Sequence, residues 1–178
     1  MKAVGFTCPL PITDPDSLQD YEVPKPDPQG RDLLVGIEAV SVNPVDTKVR
    51  LSQPAEQAES TPRVLGWDVA GIVDSVGSDV SLFQSGDEVY YSGSLIRPGA
   101  NSEYHVVDER LVAKKPASFN MAQAAALPLT AITAYEALFD RLGISQHGQW
   151  EEKPFSLLAE QAGWGLLRSN LPKLSSFT

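Results

Sequence analysis

Two polar clusters could do chemistry. The first follows an apolar alternation, Leu33, Val35, Ile37 and Ala39, and gathers Asn43, Asp46, Thr47 and Lys48 around the Asn43-Pro44 break in VSVNPVDTKVR (residues 40–50). Proline removes a backbone donor and fixes φ, so a strand ends here and delivers amide, carboxylate, hydroxyl and ammonium groups to its rim. Element ends and loops carry function more often than strand interiors do. The second is LGWDVAGIVDSVG (residues 65–77), which sets Trp67 and Asp68 before a glycine-punctuated apolar run. Together the clusters read as one wall of an enzyme cleft. The plainer alternative is a proline turn with a capping aspartate, since Asn-Pro and Asp-Thr are ordinary turn and helix-start chemistry.

The elements that must position these groups are mostly strands. Residues 1–7 alternate as a short strand, and the Pro-rich acidic stretch 9–32 reads as a surface connection. Residues 32–42 read as a buried strand, near-continuously apolar between Asp32 and Ser41 with Glu38 the one charged residue inside. Residues 52–61 read as a loop or short exposed helix. From 63 to 114, short apolar runs separated by Gly66, Gly71, Gly77, Gly86, Gly93 and Gly99 suggest a closed all-β unit with glycines at bulges and corners. At Ser118 the pattern turns helical: Ser118 caps MAQAAAL and Pro128 closes it. A second helix over 130–142 carries Ala131, Ala134, Tyr135, Leu138 and Leu142 on one face and stops at Gly143.

Composition narrows the function classes. The 178 residues hold one domain, or a domain and part of another; 42% are hydrophobic and 21% charged, as in soluble globular proteins. No apolar run spans a bilayer and Met1-Lys2-Ala3 opens no signal peptide, which places the chain in the cytoplasm. A net charge of −9 with no basic cluster argues against nucleic acid and for small molecules or proteins as partners. One cysteine, Cys8, excludes an internal disulfide, and with only His105 and His147 it leaves little for a zinc site. His105, in a strand without an acid or nucleophile nearby in sequence, reads as structural.

Five motifs in order, NPVDTKVR, LGWDVAGIVDSVG, GDEVYYSG, NSEYHVVDERLVAKKP and AAALPLTAITAYEALFDRLGI, resemble the medium-chain dehydrogenase/reductase superfamily, in its quinone oxidoreductase and zinc-type alcohol dehydrogenase-like branch. The likeness covers residues 1–144. It implies a mainly β fold with flanking helices: a GroES-like β-barrel catalytic domain over 1–125, then a helical start of a nucleotide-binding Rossmann domain over 126–150. It also implies NADPH-dependent reduction of a quinone or enone. In that setting Asn43 meets the nicotinamide or the substrate carbonyl, its amide donating to a developing oxyanion, or simply makes a turn. Lys48 stands where related reductases carry a cofactor-contacting tyrosine, so it reaches a phosphate or is solvated. Trp67 walls the substrate pocket or packs in a core. Thr133 matches a nicotinamide-holding threonine, with Thr130 one turn earlier as a substrate contact, unless both bond their own helix backbone. Asp46 caps a helix starting near Thr47, and Asp68 is structural. Where zinc-using relatives carry cysteine and His-Glu, this chain has Asn43 and Trp67-Asp68, so no zinc is expected.

The likeness stops after Ile144. Where a strand and a Gly-rich pyrophosphate turn belong, residues 145–178 hold no G-x-G-x-x-G; Gly163-Trp164-Gly165 is too short and bulky to wrap a phosphate. Read from the third base of each codon, however, residues 153–173 permit TILIIGGAGGVGSIAIQLAK, a strand, a dinucleotide fingerprint and an amphipathic helix in family order. Trp164 has one codon, and followed by Gly165 it yields a fingerprint glycine. Residues 151–178 therefore read as an atypical tail left by a single-base loss near 151–153, against the alternative of a divergent natural C-terminus. On the first reading the chain lacks its nucleotide site and is inactive. On a competing reading it is a GroES-like binding module that self-associates through apolar faces.

Overall fold

The computed structural model describes residues 1–52 and 61–143. The atypical tail and most of the polar stretch 52–61 lie outside them. Two compact units divide at Thr130/Ala131.

The first unit is built on antiparallel strands, β1 (Lys2–Phe6), β2 (Gln19–Glu22), β3 (Asp32–Ser41), β4 (Arg63–Val64), β5 (Asp68–Val76), β6 (Glu88–Ser92), β7 (Tyr104–Asp108) and β8 (Val112–Lys114). They form a three-stranded sheet, β2-β1-β4, and a five-stranded one, β7-β3-β5-β6-β8. The alternation that marks β3 buries Leu33 and Val35 against Val69, Val73, Val89, Tyr91 and Val107, which form the main core. Long β3 and β5 carry the larger sheet, and their register breaks between Leu34 and Val35 and between Ile37 and Ala39. Such bulges sharpen local twist, which helps a sheet curl. Gly71 is needed at this ladder, because a Cβ there would run into the Gly36 carbonyl oxygen.

Helix α1 (Pro44–Leu51) follows β3; α2 (Met121–Ala125) and α3 (Pro128–Tyr135) follow the strands. Three boundaries differ from the sequence expectation. β2 lies inside the stretch read as connection, where its polar residues QDYE pair with β1 at a sheet edge. Asn120, not Ser118, caps α2: its Oδ1 accepts from Gln123 N at 2.8 Å, while Gln123 Oε1 accepts from Asn120 N at 3.1 Å. Pro128 opens α3 rather than only closing α2, as a residue whose missing N–H costs nothing in a first helical turn. The described part of the second unit, 131–143, continues α3 into a wider π-type turn, Glu136–Arg141.

His105 is buried in the first unit, in keeping with its structural reading. Its Nε2 donates to Pro98 O at 3.0 Å, leaving Nδ1 to accept from the Tyr91 hydroxyl at 2.9 Å. Burial pushes its pKa down from 6.5 to about 4. Between those values the unfolded chain binds a proton that the folded chain refuses. The stability this imidazole contributes is thus complete above pH 6.5 and falls as pH drops toward 4, by roughly 3 kcal/mol in all. Urea midpoints at pH 7 and pH 4.5 check it: wild type should lose more on acidification than His105→Gln, and equal losses would refute the assignment.

Candidate active-site wall

The β3–β5 register places Ser41 opposite Asp68, so the residues just past one strand and at the start of the other meet at the same end of the sheet. Gly66, at φ +93°, makes the turn into β5; that backbone conformation suits glycine, and any Cβ would strike the Asn101 side chain.

Asn43 is extended at φ −126°, ψ 162°, and Pro44 begins α1 directly behind it. Asp46 Oδ2 accepts the Asn43 backbone N–H at 2.7 Å, which closes the helix start with an acid in its first turn. Asp46 therefore caps, but the helix starts three residues before Thr47. Asp46 is buried, and its other oxygen, Oδ1, has no hydrogen-bond partner among the described residues.

The side chain of Asn43 turns the other way. Its Nδ2 donates to Asp68 Oδ2 at 2.8 Å, and Asp68 Oδ1 accepts the Leu129 N–H at 2.9 Å. Asp68 is fully buried and is the hub that joins both sequence clusters to the first turn of α3. Burial raises its pKa above the usual carboxylate value; the Asn43 and Leu129 bonds pull against that rise, and the neighbouring charge of Asp46 adds to it. An acceptor-only partner fixes the Asn43 amide with nitrogen toward Asp68. The amino group keeps a second N–H, with which Asn43 can donate to another oxygen.

Trp67 is a core aromatic that also reaches a surface concavity. Its ring is buried with Phe6 and Leu65 against Val45 and Val49 of α1. It also borders an open concavity of about 280 Å³ shared with Thr61, Pro62, Leu95, Ile96 and Pro98. Its Nε1–H donates to Ser94 O at 3.2 Å.

Two further candidates in the first unit, Lys48 and Thr130, are not drawn into this cluster. Lys48 is exposed on α1. Thr130 is exposed, and its hydroxyl donates to Leu127 O at 2.9 Å and Ala126 O at 3.1 Å, the self-capping alternative weighed from sequence. Thr133 is exposed and belongs to the second unit. Asp68 is the residue whose importance the sequence understated, because its partners lie 25 and 61 positions away. Among the described residues no helix is long and apolar enough to cross a membrane.

A model of the alcohol dehydrogenase GroES-like domain matches residues 29–117. A zinc-type alcohol dehydrogenase-like protein of Staphylococcus epidermidis is 44% identical over 166 residues, 93% of this chain and 48% of its own length. A chloroplastic quinone-oxidoreductase homolog of Spinacia oleracea is 37% identical over 163 residues, 90% of this chain and 49% of its own. The crystal structure of Escherichia coli quinone oxidoreductase complexed with NADPH superposes with a TM-score of 0.65 at 34% identity, over 78% of this chain and 40% of that one. The chain spans about half the length of the curated relatives it matches.

Proposed function

This chain belongs to the alcohol dehydrogenase GroES-like domain family, within the medium-chain dehydrogenase/reductase superfamily of oxidoreductases, and from that premise we propose that it is the substrate half of an NADPH-dependent, zinc-independent reductase of quinones or enones. The observation that carries the reading is the Asn43 amide, oriented by buried Asp68 at the end of the β3–β5 ladder. A preorganised N–H donor suits the oxygen that gains charge when a carbonyl compound accepts hydride. When bound, NADPH supplies that hydride; Asn43, Lys48 and Thr133 are the residues proposed to meet the cofactor, and Trp67 and Thr130 the substrate.

The residues at the zinc-ligand positions do not fit that metal. The Asn43 nitrogen and the Trp67 indole both act as hydrogen-bond donors, so of the three only the Asp68 carboxylate is a ligand type that zinc favours, and one carboxylate does not make a site. Zinc takes thiolate, imidazole or carboxylate lone pairs. We read the zinc-type names of relatives as family names only.

The tail, outside the described residues, enters through its coding DNA. If the wobble bases over 153–173 spell the fingerprint, restoring the frame should turn a chain without micromolar NADPH affinity into one that oxidises NADPH with a quinone. Micromolar NADPH binding by the 178-residue chain would overturn its proposed inactivity. A frame-restored protein that binds NADPH but reduces neither quinones nor enones would overturn the substrate class. Ile132 and Tyr135 are exposed on α3, which favours self-association as a second property of the short chain; light scattering should then report a dimer or larger.

A further inference from the structure

The concavity beside Trp67 has a sign as well as a shape. Among the described residues, its wall contains two ionisable ones, Arg63 and Arg97, although the chain as a whole carries a net charge of −9. No carboxylate pairs with Arg63 among the described residues. Arg97 is held by Asp32, Nη1 to Oδ1 at 2.8 Å, which uses one of its five donors and leaves others for a second acceptor.

The turn over 94–98 that forms one side is tied at both ends by buried rings. Trp67 Nε1 donates to Ser94 O at 3.2 Å, and His105 Nε2 donates to Pro98 O at 3.0 Å. Behind it the Gly93 N–H reaches Trp67 O at 2.8 Å and the Gly99 N–H reaches Val64 O at 2.9 Å. The site is thus largely formed before a ligand arrives, which lowers the ordering cost of binding. Between the ties, Leu95 and Ile96 stand 53% and 94% exposed, and they give the rim an apolar surface that water covers poorly.

An indole edge, two prolines and aliphatic side chains suit a flat apolar ring, while two guanidinium groups suit an anion on that ring. From this combination we infer that the concavity takes planar carbonyl compounds bearing an anionic substituent, with Arg63 as the residue that selects for the charge and Arg97 in support. The inference rests on the quinone-or-enone reading and specifies which members of that class bind.

Two naphthoquinones of nearly equal size test it: 2-hydroxy-1,4-naphthoquinone, whose hydroxyl is ionised at neutral pH, and its neutral 2-methoxy ether. The readout is the Trp67 indole N–H resonance of the full 178-residue chain carrying Trp150→Phe and Trp164→Phe. The anionic quinone should shift this resonance and bind about fivefold more tightly than the ether, the scale of one partly exposed ion pair. Arg63→Gln should remove that preference, added salt should shrink it, and the ether's affinity should barely move. Arg97→Gln should cut it in part. Equal affinities for the two quinones would overturn charge selection while leaving the apolar site in place. No shift of the Trp67 resonance with either would overturn the site itself. Neither result touches the separate question of whether the frame-restored protein reduces quinones with NADPH.

Discussion

Replacing Glu109 by alanine is expected to lower the melting temperature by at least about 10 °C, an effect of buried hydrogen bonds rather than of any surface ion pair. The side chain is fully buried. Its Oε2 accepts two consecutive backbone N–H groups, Ser81 at 2.9 Å and Leu82 at 2.8 Å, and its Oε1 accepts from Arg31 Nη1 at 2.7 Å. Burial alone would raise its pKa, but the backbone donors and Arg31 outweigh burial and hold it below the ordinary value. Alanine leaves two backbone donors without an acceptor and opens a void, two of the few routes to a large single-site loss. Arg31 is half-exposed and recovers its solvation, so its share is small. Glutamine keeps the shape and one acceptor oxygen, and Glu109→Gln should therefore lose less than half as much. Because the folded pKa is depressed, the carboxylate's contribution is present above its unfolded value of 4.5 and is lost as pH falls through the folded one. Circular-dichroism melts at pH 7 decide it: an alanine variant within two or three degrees of wild type would show that the site repacks or hydrates.

Nothing in DERLV announces this role. A glutamate between aspartate and arginine after a short strand reads as solvated turn charge, and the donors it serves lie 27 and 28 residues earlier. What sequence does carry is periodicity. Leu33, Val35 and Ile37 mark β3, and the glycine-spaced runs mark β5 and β6, because burying one face of a strand imposes an alternation that needs no knowledge of the partner. β2 escapes detection for the converse reason: at the edge of its sheet, QDYE buries little.

Prolines show a different limit. Pro44 and Pro128 both read as stops, and each is also the first residue of a helix, α1 and α3. A stop for one element and a start for the next use the same property, a missing N–H and a fixed φ, so the local signal cannot say which side matters. The capping pair Asn120 and Gln123 was legible in SFNMAQ, two residues past the serine that draws attention first. The candidate site divides similarly. Asn43, Trp67 and their strand ends could be located from residue types, whereas the bond from Asn43 to Asp68 depends on a register, Ser41 opposite Asp68, that no local pattern encodes.

That bond makes the sharpest test of the proposed chemistry, in the frame-restored protein. Asn43→Ala should lower kcat for quinone reduction by about a hundredfold with little change in KM, the usual cost of losing one preorganised donor to a developing oxyanion. Asp68→Asn should act through Asn43 as a positioning change. An asparagine at 68 can still accept the Leu129 N–H, but its amino group faces the Asn43 nitrogen, so the Asn43 amide flips and offers an oxygen where an N–H is needed. Activity should fall at least about tenfold while stability does not. The folded pKa of Asp68 is raised above 3.8, so its stability contribution is present below that value and is lost as pH rises through the folded one. Burial disfavours the charged form of Asp68, a cost that a neutral amide lacks, and Asp68→Asn should melt no lower than wild type. The double variant separates orientation from independent roles: if Asp68 works only by aiming Asn43, Asn43→Ala with Asp68→Asn should be no slower than Asn43→Ala alone. Additive losses would instead give Asp68 its own contact with substrate or cofactor, and full activity in Asn43→Ala would remove the amide from the chemistry.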